Sequence, residues 1–215
     1  MSLSDGGVRC GIPRYGLVVL AATVAVAIGL AAALIRGGNH SSAAQQEAKP
    51  LVAQATWSPG TKPAPGFRLR DQGGRVVSLS SFRGRSVILT FLDSVCTQEC
   101  PVEGRVLRDI QQRIRGTNTV TAIVSVDPWA DTGARAAAFA RKARWQGTWY
   151  WLLGSRERLA SVWRAYGIGV RREPSDIAHS VALYLIDAHG DLRSGYVFPF
   201  SASAVAHDVH VIATN

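Results

Sequence analysis

The chain runs to 215 residues, of which 47% are hydrophobic and 18% charged, with a formal net charge of +9. That length supports one compact domain of ordinary size once non-globular stretches are set aside. The basic residues are scattered, without aromatic interleaving or a recognisable nucleic-acid motif, so the charge excludes a nucleic-acid partner. It predicts an arginine-rich solvated surface that attracts anionic lipid head groups or an acidic protein.

Residues 1–14 read as a cytoplasmic tail. Residues 15–35, YGLVVLAATVAVAIGLAAALI, carry no charge. A hydrocarbon core of ~30 Å is spanned by ~20 apolar residues in a helix, whereas the apolar core of a cleaved signal is shorter, so a retained transmembrane helix is predicted. Arg9 and Arg14 precede the run and Arg36 follows it, an asymmetry that keeps the N-terminus inside. The reading is a single-pass protein of the cell membrane with its C-terminal domain on the extracytoplasmic side, where disulfides persist. Residues 36–60, rich in Gly, Ser, Ala, Gln and Pro, read as a flexible linker, which leaves residues 61–215 for the folded domain.

Within that domain, residues 67–70 alternate as a half-buried strand, Gln72-Gly73-Gly74 is a turn, and residues 76–79 pair back as a hairpin. Residues 86–92, SVILTFL, form an apolar run of the kind buried on both faces of a sheet. Cys96-Thr97-Gln98-Glu99-Cys100-Pro101 follows, and then a helix over 102–115 with Val102, Val106, Ile110 and Ile114 on one face. Residues 120–126 are a second buried strand. Asp131 or Thr132 caps a helix over 134–143, 149–153 is a short strand, and Ser155 caps a helix that Gly167 ends. Residues 181–186 are the next strand, a turn at 188–191 leads into a strand over 193–198, and Ser201 or Ser203 opens a last helix. Strands alternating with helices, closed by a hairpin, predict an α/β three-layer sandwich with a mixed sheet, the thioredoxin-like arrangement.

Strand, thiol loop and helix in that order put Cys96 and Cys100 at a helix N-terminus, where free N–H groups and the helix dipole favour a thiolate. Three uses of such a pair compete. A structural disulfide would close only a short loop. A redox pair usually has the closer spacing C-x-x-C. As metal ligands, two thiolates plus an imidazole suit copper, while two cysteines cannot supply a four-cysteine cluster. Among the histidines, His40 lies in the linker and His189 in a turn, and His207 and His210 share a helix face with no cysteine or carboxylate cluster beside them. His179 stands just before the strand 181–186, which in a thioredoxin-like fold faces the cysteine loop. Asp93 and Glu99 read as solvated loop carboxylates ahead of a role in orienting the loop.

Several blocks together carry a resemblance: Cys96-x-x-x-Cys100-Pro101 after a buried strand; Ser125-Val126-Asp127-Pro128 with Asp131-Thr132; Leu153-Gly154-Ser155 with Arg164-Ala165-Tyr166; and His179-Ser180-Val181-Ala182-Leu183-Tyr184-Leu185-Ile186-Asp187 before Gly190. In their order and spacing they resemble the Sco/SenC family, membrane-tethered copper proteins that help assemble the copper centre of cytochrome c oxidase. The resemblance implies one copper ion held by Cys96, Cys100 and His179, delivered to a client such as a cytochrome c oxidase subunit. It implies a metal carrier in place of a turnover enzyme. The chain departs from the family at Thr97 and Gln98, where proline and aspartate are common, at Leu92 to Val95, where aromatic and histidine residues are frequent, and at Ala178, where aspartate is usual. The alternative is an extracytoplasmic thiol–disulfide oxidoreductase in which Cys96 attacks and Cys100 resolves. A peroxide-reducing relative is a third reading, which needs an arginine by the cysteine that the sequence does not supply convincingly.

Overall fold

The computed structural model describes residues 50–174 and 176–214. The tail, the apolar run and most of the linker lie outside the described residues, as do His40 and Cys10. Among the described residues no helix is long and apolar enough to cross a membrane.

The centre of the domain is β4 (Ser86–Leu92), every residue of which is buried. Its β-branched and apolar side chains alternate between two cores: Val87, Leu89 and Phe91 point to one, Ile88 and Leu92 to the other. A strand of this composition is stable only with both faces covered, so it sits inside the sheet. β5 (Thr119–Ser125) lies parallel to it, and β6 (Trp149–Leu152) parallel to β5. On the other side β9 (Ala182–Ile186) runs antiparallel, followed by β10 (Leu192–Val197) and β1 (Ala55–Thr56). The order β1-β10-β9-β4-β5-β6 is a mixed six-stranded sheet. Helices α1 (Cys100–Arg113), α2 (Gly133–Ala143) and α4 (Ala202–Ala213) bury their apolar stripes in the core that holds Ile88. Helix α3 (Arg156–Ala165) packs into the opposite core, together with the hairpin β2 (Arg68–Arg70) and β3 (Val76–Ser78). The predicted thioredoxin-like α/β sandwich with a mixed sheet is therefore the architecture found.

Three details differ from the sequence reading. The folded domain starts ahead of residue 61: β1 pairs with β10, Leu51 and Ala53 pack on the core, and the Val52 N–H donates to Asp208 at 2.8 Å. Asp208 is fully buried on α4 and also accepts from Ser194 and Tyr196, both at 2.7 Å, so it fastens this leading segment to the domain. The buried face of α1 runs through Glu103, Leu107, Ile110 and Ile114, while Val102 stays exposed. Finally, a hairpin not foreseen, β7 (Val170–Arg172) with β8 (Ile177–His179), carries His179 at its end, so the histidine closes a strand of its own before β9 begins.

Candidate functional site

The site lies at the C-terminal ends of β4 and β5, where loops leave a sheet buried on both faces. After Leu92 the chain turns at Asp93, whose carboxylate accepts the Val95 N–H at 2.7 Å. Asp93 is only 2% exposed, and burial, reinforced by the nearby charges of Asp131, Asp127 and Cys96, pushes its pKa up to about 7. It is not a solvated loop carboxylate; Glu99 is exposed and fits that description. Asp131, from the loop after β5, holds the other side: it accepts both the N–H and the hydroxyl of Ser94 and, at 3.2 Å, the indole N–H of Trp151. Burial raises the pKa of Asp131, against these hydrogen bonds.

Cys100 is the first residue of α1 and Pro101 follows in the first turn, where its missing N–H leaves no gap in the helix. Cys100 is buried and Cys96 half-buried, and both are free thiols. Hydrogen bonding from Cys100, with the backbone N–H groups of Cys100, Gln98 and Glu99, outweighs desolvation and lowers the Cys96 pKa to about 5. Cys100 is driven the opposite way, by its bond to Cys96 and then by burial. The pair therefore holds one proton: Cys96 is the thiolate and Cys100 the thiol that donates to it.

The His179 ring faces Cys100. Its Nε2 stands 3.7 Å from the Cys100 sulfur, and its Nδ1 is 3.1 Å from the Ser180 carbonyl. A carbonyl only accepts, so Nδ1 carries a hydrogen toward it, and Nε2 is the ring nitrogen turned to the Cys100 sulfur. The β7–β8 hairpin fixes this placement: the Ser180 N–H donates to Gly169 at 2.9 Å, and Gly169 in turn donates to the Ser180 hydroxyl at 3.1 Å. Cys100 and His179 thus come together across 79 positions of sequence. Among the described residues, no three or more His, Cys, Asp or Glu side chains meet at metal-binding spacing in this arrangement. His207 and His210 bond to separate carbonyls, of Pro50 and Arg113, and His189 is exposed; none joins the site.

Glu103 is a site residue that the sequence reading missed. It is 1% exposed, one helical turn past Cys100, and among the described residues its Oε2 has no hydrogen-bond partner. Burial pushes its pKa up to about 8, and the negative charges of Cys96 and Glu99 add to the rise. The signal was available: spacing from Leu107, Ile110 and Ile114 places position 103 in the apolar stripe. Arginines are present too. Arg105, Arg108, Arg135 and Arg144 line a cavity of about 460 Å³ that Cys96 also lines.

Asp131→Ala should strip the acceptor from Ser94 and Trp151 and loosen the thiol loop. Leaving buried donors unpaired costs ~1–3 kcal/mol. Denaturant unfolding of parent and variant measures that loss, and faster hydrogen exchange at the Ser94 amide should accompany it. An unchanged midpoint with unchanged exchange contradicts the tether.

Comparison with known proteins bears on this geometry. The sequence pattern of the SCO1/SenC family matches residues 58–214. The mitochondrial SCO2 homolog of Bos taurus is 29% identical over 203 residues, covering 88% of this chain and 73% of that protein. A putative peroxiredoxin of Mycobacterium tuberculosis is 35% identical over 158 residues, 73% of this chain and 88% of that protein. Among solved structures, Arabidopsis thaliana ScoI with copper bound superposes with a TM-score of 0.63 at 25% identity, covering 71% of this chain and 99% of that one.

Proposed function

Because this chain belongs to the SCO1/SenC family, we propose that Cys96, Cys100 and His179 hold one copper ion and pass it to the copper centre of cytochrome c oxidase. The observation that carries the reading is the Nε2 of His179 turned toward the Cys100 sulfur at 3.7 Å. A first-row ion sits roughly 2.3 Å from a thiolate and 2.0 Å from an imidazole nitrogen, so two such donors on one ion stand about 3.5–3.7 Å apart. The observed separation accommodates that. Two soft thiolates and one imidazole select copper over the harder divalent ions. Cys96 already presents a thiolate; Cys100 gives up its proton on binding, so affinity falls as pH falls and vanishes once the pair is oxidised. The carrier is anchored by residues 15–35, with this domain on the extracytoplasmic side.

A titration of the reduced full-length chain with Cu(I), against a competing chelator, tests the reading. The parent should bind one equivalent, and Cys96→Ala and His179→Ala should each lose it. Equal binding by all three refutes the assignment.

Thiol–disulfide exchange is the second reading, supported by the activated, half-buried Cys96 beside a buried, protonated partner. There Cys96 attacks and Cys100 resolves. His179→Ala separates the two: it removes copper binding and leaves exchange intact.

A further inference from the structure

The cavity beside Cys96 has a charge that the thiol chemistry does not explain. Arg105 and Arg108 reach it from α1, Arg135 and Lys142 from α2, and Arg144 from the end of α2. Among the described residues no carboxylate lines it. Among the described residues, only Arg108 of these five has a salt-bridge partner, Asp109. Like charges gathered around a concavity repel one another, and an anion that enters relieves that repulsion. The cations are not there to ionise Cys96, since the leading contributions to that come from Cys100 and backbone N–H groups. The floor is apolar, formed by buried Phe139 and Ala143. The volume, about 460 Å³, falls within the ~300–1,000 Å³ of ligand sites.

We propose that this cavity docks an acidic, cysteine-bearing peptide segment of the client, holding its carboxylates on the α1 and α2 cations while its sulfur meets Cys96. The cations are spread over two helices, so a segment with several carboxylates along its length satisfies them better than one small anion. The inference takes from the preceding reading only that Cys96 exchanges with a partner's sulfur. Copper is absent from its test.

The test follows reduced full-length chain reacting with short peptides whose single cysteine is blocked as a thionitrobenzoate disulfide, flanked by aspartates in one peptide and lysines in the other. The Cys96 thiolate attacks the peptide sulfur, a Cys96–peptide disulfide forms, and the peptide–aryl S–S bond breaks. The aryl thiolate leaves with the electron pair, because the lower-pKa thiol is the better leaving group, and its absorbance reports the rate. At low salt the aspartate peptide should react at least ~10-fold faster, as electrostatic steering allows. The advantage should collapse near 1 M salt, where the Debye length is about 3 Å. The Arg105→Gln/Arg144→Gln double variant should lose the preference at low salt while reacting at the parent rate with a neutral aryl disulfide. Equal rates for the two peptides, or a preference that survives in the variant, overturns the proposal. Anionic vesicles that slow the neutral disulfide in the parent but not in the variant, with no discrimination between peptides, would assign the cavity to a membrane surface instead. Failure of copper to bind would leave these rates untouched, so the two readings fail separately.

Discussion

Glu103→Gln should make the protein more stable than its parent by a margin that widens from pH 4.5 to about 8 and is constant above that. The argument starts at Thr90. Its hydroxyl oxygen lies 2.5 Å from Glu103 Oε1 and 2.9 Å from the Ala182 carbonyl, and its single proton serves only one of them. If it serves the carbonyl, which can only accept, the shorter contact is bridged by a proton on Glu103. Burial favours that protonated form, raising the pKa from 4.5 to about 8. Within this window the folded chain keeps a proton that the unfolded chain has released, so parent stability falls as pH rises, by up to ~1.4 kcal/mol per pH unit. Glutamine reproduces the neutral acid and does not titrate. Asp93, whose pKa is raised to about 7, gives a slope of the same sign in both proteins and cancels in the difference. Denaturant unfolding of both proteins at pH 5, 7 and 9 measures the margin. Parallel curves would mean that Glu103 carries no excess proton.

The second large effect is selective alkylation. In the reduced, folded chain, iodoacetamide should modify Cys96 alone, with a rate that climbs through pH 5 and levels off by about pH 6.5. Cys96 has its pKa lowered from 9.0 to about 5, so at pH 6 its thiolate population exceeds that of an ordinary cysteine by roughly a thousandfold. Its intrinsic nucleophilicity falls with pKa, by about 40- to 100-fold for such a shift. The net expectation is a rate about tenfold above that of an unperturbed thiol at pH 6. Cys100 is 1% exposed and keeps its proton, so it should react only after denaturant is added. Mass spectrometry of the labelled peptides reads both sites. Equal labelling of the two cysteines, or a Cys96 rate still climbing at pH 8, would contradict the one-proton description of the pair.

These effects rest on residues that differed in how legible they were. β4 stood out as an apolar run of seven residues because a strand covered on both faces has no polar side. The caps at Thr132, Ser155 and Ser201 were legible because each side chain accepts an N–H three residues on, a local interaction that local sequence specifies. Asp131 was read as a cap candidate, yet it is Thr132 that caps α2, and Asp131 reaches 37 positions back to Ser94. The β7–β8 hairpin was missed because none of the residues in its three-residue strands is buried, and short strands without a buried face leave little periodicity. His179 was singled out by its position before a strand and by family resemblance, and nothing local marks its ring as facing Cys100.

By itself, then, the amino-acid order determined what neighbours along the chain decide: the elements, their caps, the thiol pair at a helix start, and the alternation that makes β4 central. Only the tertiary structure decided which thiol ionises, which histidine nitrogen faces the Cys100 sulfur, that Glu103 is entombed, and that five cations share one cavity. The reason is physical. Periodicity and capping are short-range and written into adjacent residues, whereas desolvation and charge–charge contact depend on distances through space, and those exist only once β4, α1, α2 and the β7–β8 hairpin have packed together.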